Sequence, residues 1–242
     1  MSGTFSDADR RFMARALQLA ERGLYTTHPN PRVGCVLVKD GETVGEGWHE
    51  VAGQAHAEVN ALVVAGKAAA GATAYVTLEP CCHQSRTGAC TEALSAAGVR
   101  RVIFAVTDPN PRVAGQGAAW LQAQGIEAQG GLLAEQAIAL NAGFWSRMQR
   151  NRPRVTSKLA VSLDGRTALA NGDSAWITGA AARLDVQRLR ALSSAVVTGV
   201  GTVRSDDPSL NVRAAEHAAG RQPLRVIVDS NLKTPPAAKT LS

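Results

Sequence analysis

Within the first 90 residues, His56, Cys81, Cys82 and Cys90 supply metal donors, and Glu58 supplies a carboxylate able to move protons. One imidazole and two thiolates give a tetrahedral Zn2+ three protein ligands and leave its fourth position to water, the arrangement of catalytic rather than structural zinc. Water held there loses a proton near pH ~7 rather than ~15.7, so a hydrolytic nucleophile is available at neutral pH. Glu58, two positions past His56, is offset from the ligand and free to take a proton from the nucleophile, pass it to a ring nitrogen and protonate a departing amine. The favoured ligand set is His56, Cys81 and Cys90. Adjacent side chains at Cys81 and Cys82 would strain to converge on one ion, whereas a loop can return Cys90 at a helix start, where a thiolate is further stabilised. Cys82 is the rival ligand. Each residue alone also has a plainer reading, because H-x-E recurs by chance and a free cysteine is usually a small buried hydrophobe; Cys35, inside an apolar run, is read that way.

These groups need a frame to bring them together. Ser6, followed by Asp7 and Asp9, starts a helix, since a hydroxyl accepts from orphan amides and early acids suit the helix dipole. Phe12, Met13, Ala16, Leu17 and Ala20 recur at helical spacing, and Gly23 is placed as the C-terminal cap. The apolar run Val33 to Val38, the turn Lys39-Asp40-Gly41 and the stretch 42–48 predict a β-hairpin. The pattern then alternates through a helix over 56–65, a strand over 74–78, a helix over 91–97, a strand over 101–106 and a helix over 117–123. That alternation predicts an α/β sandwich with a mainly parallel sheet, with His56 and Glu58 at a helix start and Cys81 just past a strand. A further helix is expected over 134–148, and Asn151, Arg152 and Pro153 read as a linker. A second series follows: a strand within 155–163, the turn Asp164-Gly165, a helix over 180–192 and strands within 194–200 and 224–230. Two domains are therefore expected, 1–150 and 151–242.

Composition narrows the class. Of 242 residues, 45% are hydrophobic and 19% charged, the balance of a globular protein and not of a disordered or fibrous one. The net charge of +6 is spread along the chain and aromatics are only 4%, which argues against a nucleic-acid surface and suits a small phosphorylated substrate. The N-terminal stretch lacks the apolar core of a signal peptide, and no run nears the ~20 apolar residues that cross a bilayer. A cytoplasmic location without membrane attachment is expected, with the cysteines as thiols.

H-x-E followed by Pro80-Cys81 is the pattern of zinc nucleoside and nucleobase deaminases, although their Cys-x-x-Cys is replaced here by a longer loop between Cys81 and Cys90. The stretches HPNPRVGCVLV (28–38), GWHEVAGQAHAEVNAL (47–62), TLEPCCHQSRTGAC (77–90) and DPNPRVAGQG (108–117) closely resemble the bifunctional riboflavin-biosynthesis deaminase/reductase family. KLAVSLDGRTALANGDSAWIT (158–178), DVQRLRA (185–191) and DDPSLNVR (206–213) resemble its reductase half. The resemblance implies a cytidine-deaminase-like three-layer sandwich followed by an incomplete dihydrofolate-reductase-like α/β domain. It implies zinc-dependent deamination of 2,5-diamino-6-ribosylamino-4(3H)-pyrimidinone 5′-phosphate, then NADPH-dependent reduction of ribosyl to ribityl. Matching positions assign substrate contacts to Asn30, His83, Asp108 and Asn110 in the first half, and to Lys158, Ser174, Arg190, Leu210 and Arg213 in the second. Cofactor contacts fall on Ala160, Trp176, Thr202 and Asp206. The plainer readings are turn-forming Asn-Pro pairs for Asn30 and Asn110, a solvated helix face for Arg190 and core for Trp176.

Two departures carry expectations. The family usually has glycine at Ser85 and proline at Ala89, so a positive φ at Ser85 would cost roughly 1 kcal/mol and disturb substrate affinity more than zinc binding. Family members continue past residue 242, so an unfinished sheet with an exposed edge and weak or absent reductase activity are expected. A homo-oligomer is compatible with the sequence. The rival functions are deamination of cytidine, guanine or a tRNA adenosine, and a zinc-stabilised scaffold without catalysis.

Overall fold

The computed structural model describes residues 5–83, 88–111, 113–174, 176–217 and 221–242. They form two compact units, Met1–Arg154 and Val155–Ser242.

In the first unit, α1 (Asp7–Glu21) begins at Ser6, whose Oγ accepts from the Asp9 amide at 3.1 Å while the Asp9 carboxylate accepts from the Ser6 amide at 2.8 Å. This reciprocal capping box fixes the entry of the helix. Gly23 follows the C-cap Arg22, which keeps right-handed helical geometry with φ of −62°, but does not itself take the positive φ of a left-handed glycine cap. Strands β1 (Gly34–Lys39) and β2 (Glu42–Trp48) form the expected hairpin, turning on successive positive φ values at Asp40 and Gly41.

Strands β3 (Thr73–Val76), β4 (Arg101–Phe104) and β5 (Glu127–Gly130) complete a five-stranded sheet in the order β2-β1-β3-β4-β5. The sheet is mixed, not mainly parallel: β1 runs antiparallel to both β2 and β3, while β3, β4 and β5 are parallel. The physical reason lies in the connections. Only α3 (Cys90–Ala96) and α4 (Gln116–Ala123) are crossovers between parallel neighbours, whereas a hairpin can only join antiparallel strands. Strand β5 escapes the sequence reading because its EAQG has a single apolar residue and it lies at an edge.

Alternation along the strands builds the three layers. Cys35 and Leu37 point to a core shared with α2 (Ala57–Ala65), α3, α4 and Trp145, whereas Val36 and Val38 join Met13, Ala16 and Leu19 of α1 and Ala137 on the opposite face. Gly47 lets α2 lie directly against β2, since a Cβ there would stand 2.5 Å from the Ala57 carbonyl oxygen. This contact fixes the start of the helix that carries Glu58.

The helix expected over 134–148 is two helices, α5 (Ala134–Leu140) and α6 (Ala142–Arg150), broken at Asn141 with φ −113° and ψ 25°. The Asn141 side chain explains the break. Its Oδ1 accepts from the Arg32 amide at 2.8 Å and its Nδ2 donates to the Arg32 carbonyl at 2.9 Å, a pairing that satisfies the backbone of a distant segment.

Asp9 ties α1 to the sheet, accepting from Tyr75 Oη at 2.7 Å with Arg101 at 3.6 Å. Burial opposes its ionisation, yet the hydrogen bonds from Ser6 and Tyr75 and the Arg101 charge outweigh this and hold the carboxyl below its ordinary value. A carboxyl lowered on folding stabilises above the unfolded pKa of about 3.9, and that contribution fades as pH falls through the folded value. Asp9→Asn is therefore expected to cost about 1 kcal/mol at pH 7, a gap that closes on acidification below pH ~4, read by urea unfolding at several pH values.

In the second unit, α7 (Ala180–Leu192) precedes β6 (Ala195–Gly199), α8 (Val200–Asp206) and β7 (Leu224–Val228), and the two strands pair in parallel. Val197, Leu224 and Val228 are exposed on this small sheet. The strand expected within 155–163 does not form: the segment is irregular and largely exposed, leading to a turn in which the Ser162 amide donates to the Arg166 carbonyl at 2.9 Å. A strand needs a ladder partner, and β6 and β7 pair with each other. Among the described residues, no helix is long and apolar enough to cross a membrane.

Candidate active site

Three elements deliver the donors. His56 caps α2, Cys81 follows β3, and Cys90 opens α3. The Thr91 amide donates to the Cys81 carbonyl at 3.1 Å, which closes the loop between the two cysteine-bearing segments. His56 Nδ1 lies 3.2 Å from Cys90 Sγ and 3.6 Å from Cys81 Sγ, and the three ligand atoms all lie within 4.8 Å of one another. Zinc bonds of about 2.0–2.3 Å at tetrahedral angles require donors roughly 3.5 Å apart, so this set fits one ion. Cys82 does not belong to the group. Ala89, where the family has proline, has φ of −67°, a value proline itself imposes, so the backbone keeps its path without the ring. Ser85 lies outside the described residues.

The sulfurs share their protons unequally. The hydrogen bond with Cys90 draws Cys81 down to about 4 against the opposing effect of burial, with His56 helping, while the same contact and burial push Cys90 up. The amide of Cys90 also donates to Cys81 Sγ at 3.4 Å. The pair thus favours ionisation at Cys81 over Cys90.

Glu58, in the first turn of α2, is 3% exposed. Burial and the Cys81 charge raise its carboxyl to about 7, with His56 and a hydrogen bond involving Cys90 pulling the other way. A carboxyl poised near neutrality can both accept and return a proton.

His56, Cys81 and Glu58 border a cavity of about 330 Å3 that Asn30, His83, Asp108 and Asn110 also line. All four first-half positions assigned to substrate therefore come to one place. Asp108 is buried; desolvation raises its carboxyl to about 6 despite the Asn110 amide, which donates to its Oδ1 at 2.8 Å.

Among the lining residues the sequence reading missed are His49 and Glu79. His49, 2% exposed, has Nδ1 at 3.0 Å from the Ala55 carbonyl and Nε2 at 3.1 Å from Asn30 Nδ2. A carbonyl only accepts, so Nδ1 carries the proton, Nε2 accepts from the Asn30 amide, and Asn30 Oδ1 is left as an acceptor. Burial lowers the His49 pKa, which keeps this neutral form. Its place inside the GWHEV stretch was the available signal. Glu79, the residue before Pro80, accepts from the amides of Asp108 at 3.1 Å, Gly115 at 2.9 Å and Ala118 at 3.0 Å. One buried carboxylate thus anchors the cavity wall and the start of α4. Glu79→Gln turns an NH2 toward amide donors, and a loss of about 1–3 kcal/mol is expected in denaturant unfolding, with zinc content retained.

The second-half residues are less gathered. Arg190 donates to the Asn211 carbonyl at 3.2 Å, and the Arg213 amide and guanidinium engage Gln187 Oε1 at 3.0 Å and Asn211 Oδ1 at 3.2 Å, beside buried Leu210. Burial, then the Arg213 charge, lowers the Arg190 pKa, a sign of two cations held close. Lys158 and Ser174 are exposed, Ala160 is half-buried, and Thr202 and Asp206 lie exposed on α8. Trp176 is not core: it is 78% exposed, with the Arg183 guanidinium 4.4 Å from its ring centre. A dinucleotide site encloses most of its ligand, and these exposed positions do not form such an enclosure.

The profile of the cytidine and deoxycytidylate deaminase zinc-binding region matches residues 6–106, and that of the RibD C-terminal domain matches residues 153–242. The riboflavin biosynthesis protein RibD of Escherichia coli (strain K12) is 54% identical over 238 residues, covering 94% of this chain and 65% of that protein. Its counterpart in Haemophilus influenzae is 55% identical over 245 residues, covering 97% and 66%. The solved structure of Acinetobacter baumannii RibD, form 1, superposes with a TM-score of 0.92 at 54% identity, covering 97% of this chain and 67% of that one. A diaminohydroxyphosphoribosylaminopyrimidine deaminase/5-amino-6-(5-phosphoribosylamino)uracil reductase from Thermotoga maritima superposes with a TM-score of 0.90 at 39% identity, covering 97% and 67%. The chain thus spans about two thirds of the length of these relatives.

Proposed function

This chain belongs to the RibD family of riboflavin-biosynthesis proteins, and from that premise we propose that its first unit hydrolytically removes the ring amine of 2,5-diamino-6-ribosylamino-4(3H)-pyrimidinone 5′-phosphate. The observation that carries the reading is the convergence of His56, Cys81 and Cys90 beside the buried carboxyl of Glu58 in one cavity. Zn2+, which His56, Cys81 and Cys90 would hold, would supply the acidification that makes water a nucleophile at neutral pH. Glu58 accepts the proton released by that water, delivers it to the ring nitrogen, and later protonates the amine. A C–O bond forms, a C–N bond breaks, and ammonia leaves. Asn30 Oδ1, fixed by His49, accepts from a ring or amino N–H, and Asp108 and Asn110 hold the ring edge. His83 lines the same cavity.

The second unit corresponds to the family's NADPH-dependent reductase domain. Arg190 and Arg213 form the cationic pair there, suited to the phosphate of the deaminated product. The deciding assay is ammonia release by the zinc-loaded chain from the pyrimidine nucleotide, from cytidine and from tRNA, with NADPH oxidation followed on the product. Release from the nucleotide alone supports the reading, whereas release from cytidine or tRNA and none from the nucleotide overturns it.

A further inference from the structure

We propose that Arg147 is the phosphate anchor of the deaminase cavity, its guanidinium holding the substrate's 5′-phosphate monoester at the cavity mouth; the proposal rests on the deaminase reading above. Phe144, Arg147 and Met148 stand at positions i, i+3 and i+4 of α6 and line the cavity together, while Trp145 and Ser146 turn into the protein. The Asn141 break sets this face, because it restarts the helix after Arg32 is satisfied.

Charge decides the assignment. The reacting ring must lie against the zinc donors and Glu58, so the ribosyl phosphate extends away from them. Glu58, Glu79 and Asp108 already border the cavity, and a phosphate monoester of charge about −1.5 to −2 does not settle among carboxylates without a counter-cation. Arg147 is the sole Arg or Lys among the described lining residues. Its side chain is exposed, and no hydrogen bond or ion pair with a described residue engages it. A planar guanidinium takes phosphate through two parallel hydrogen bonds, and the apolar Phe144 and Met148 beside it lower the local dielectric. An arginine in the last turn of a helix also complements the helix dipole. That role affects stability and leaves substrate preference alone, so the two separate experimentally.

The test compares zinc-loaded wild type, Arg147→Met and Arg147→Lys on the pyrimidine 5′-phosphate and on its dephosphorylated riboside. Arg147→Met is expected to raise KM for the phosphorylated substrate and to shrink the kcat/KM preference for it over the riboside by roughly 10–100-fold, with Arg147→Lys intermediate. An unchanged preference in Arg147→Met overturns the proposal. Should wild type release no ammonia from the nucleotide, the deaminase reading falls. The anchor is then decided by calorimetric titration with ribose 5-phosphate: weaker binding to Arg147→Met than to wild type upholds it, and equal binding overturns it.

Discussion

Glu58→Gln is expected to lower ammonia release by about 10²–10⁴-fold while the purified chain keeps its zinc. The amide preserves the shape of a side chain that is 3% exposed but can no longer accept and return a proton. Stability should move the other way. Burial raises the Glu58 carboxyl to about 7 from 4.5, so the folded state holds its proton more tightly than the unfolded state and loses stability as pH rises between those values. At pH 8 the metal-free Glu58→Gln chain is therefore expected to be the more stable, by on the order of 2–3 kcal/mol, in urea unfolding. Loss of turnover together with a gain in stability marks a residue kept for its chemistry. Full activity in the variant would take the proton-transfer role away from Glu58.

Cys90→Ser is expected to abolish tight zinc binding: after dialysis, metal content should fall from about one equivalent to near zero, and activity with it. The exchange is nearly isosteric, so the fold should persist, but a hydroxyl does not ionise at neutral pH to give an anionic ligand beside His56 Nδ1. Metal binding free energy is folding free energy, so zinc should raise the unfolding temperature of wild type and leave that of Cys90→Ser where it was. Cys82→Ser is the control for the rival ligand set. Because Cys82 stands outside the donor group, that variant should keep its zinc; loss of metal from Cys82→Ser with retention by Cys90→Ser would reverse the assignment. Chelation of wild type should reproduce the Cys90→Ser behaviour, with recovery on adding Zn2+.

Much of the site is written in donor chemistry. His, Glu and Cys are rare enough together that H-x-E at a helix start, Pro-Cys after a strand and a returning Cys90 limit the possible chemistry, and the first-half substrate positions the sequence assigns all come to the cavity. Periodicity likewise predicts α1, the hairpin, α2 to α4 and α7, because amphipathic spacing and caps act locally. Other features are decided by contacts distant in sequence. Asn141 is an unremarkable residue in a helical pattern until Arg32, 109 positions away, claims its amide and breaks the helix. The mixed direction of the sheet and edge strand β5 follow from which neighbours supply hydrogen bonds, and the run at 155–163 stays irregular for want of one.

The sequence by itself determined the class of chemistry and narrowed the candidate ligands to His56, Cys81 and Cys90 with Cys82 as rival, since these depend on which atoms a side chain carries. Only the tertiary structure decided that Glu79 holds the cavity wall, that His49 fixes the Asn30 amide, and that Arg147 stands at the mouth. Each of those roles is defined by a partner beyond its local segment, and burial, direction and charge balance exist only once the chain has closed around the cavity.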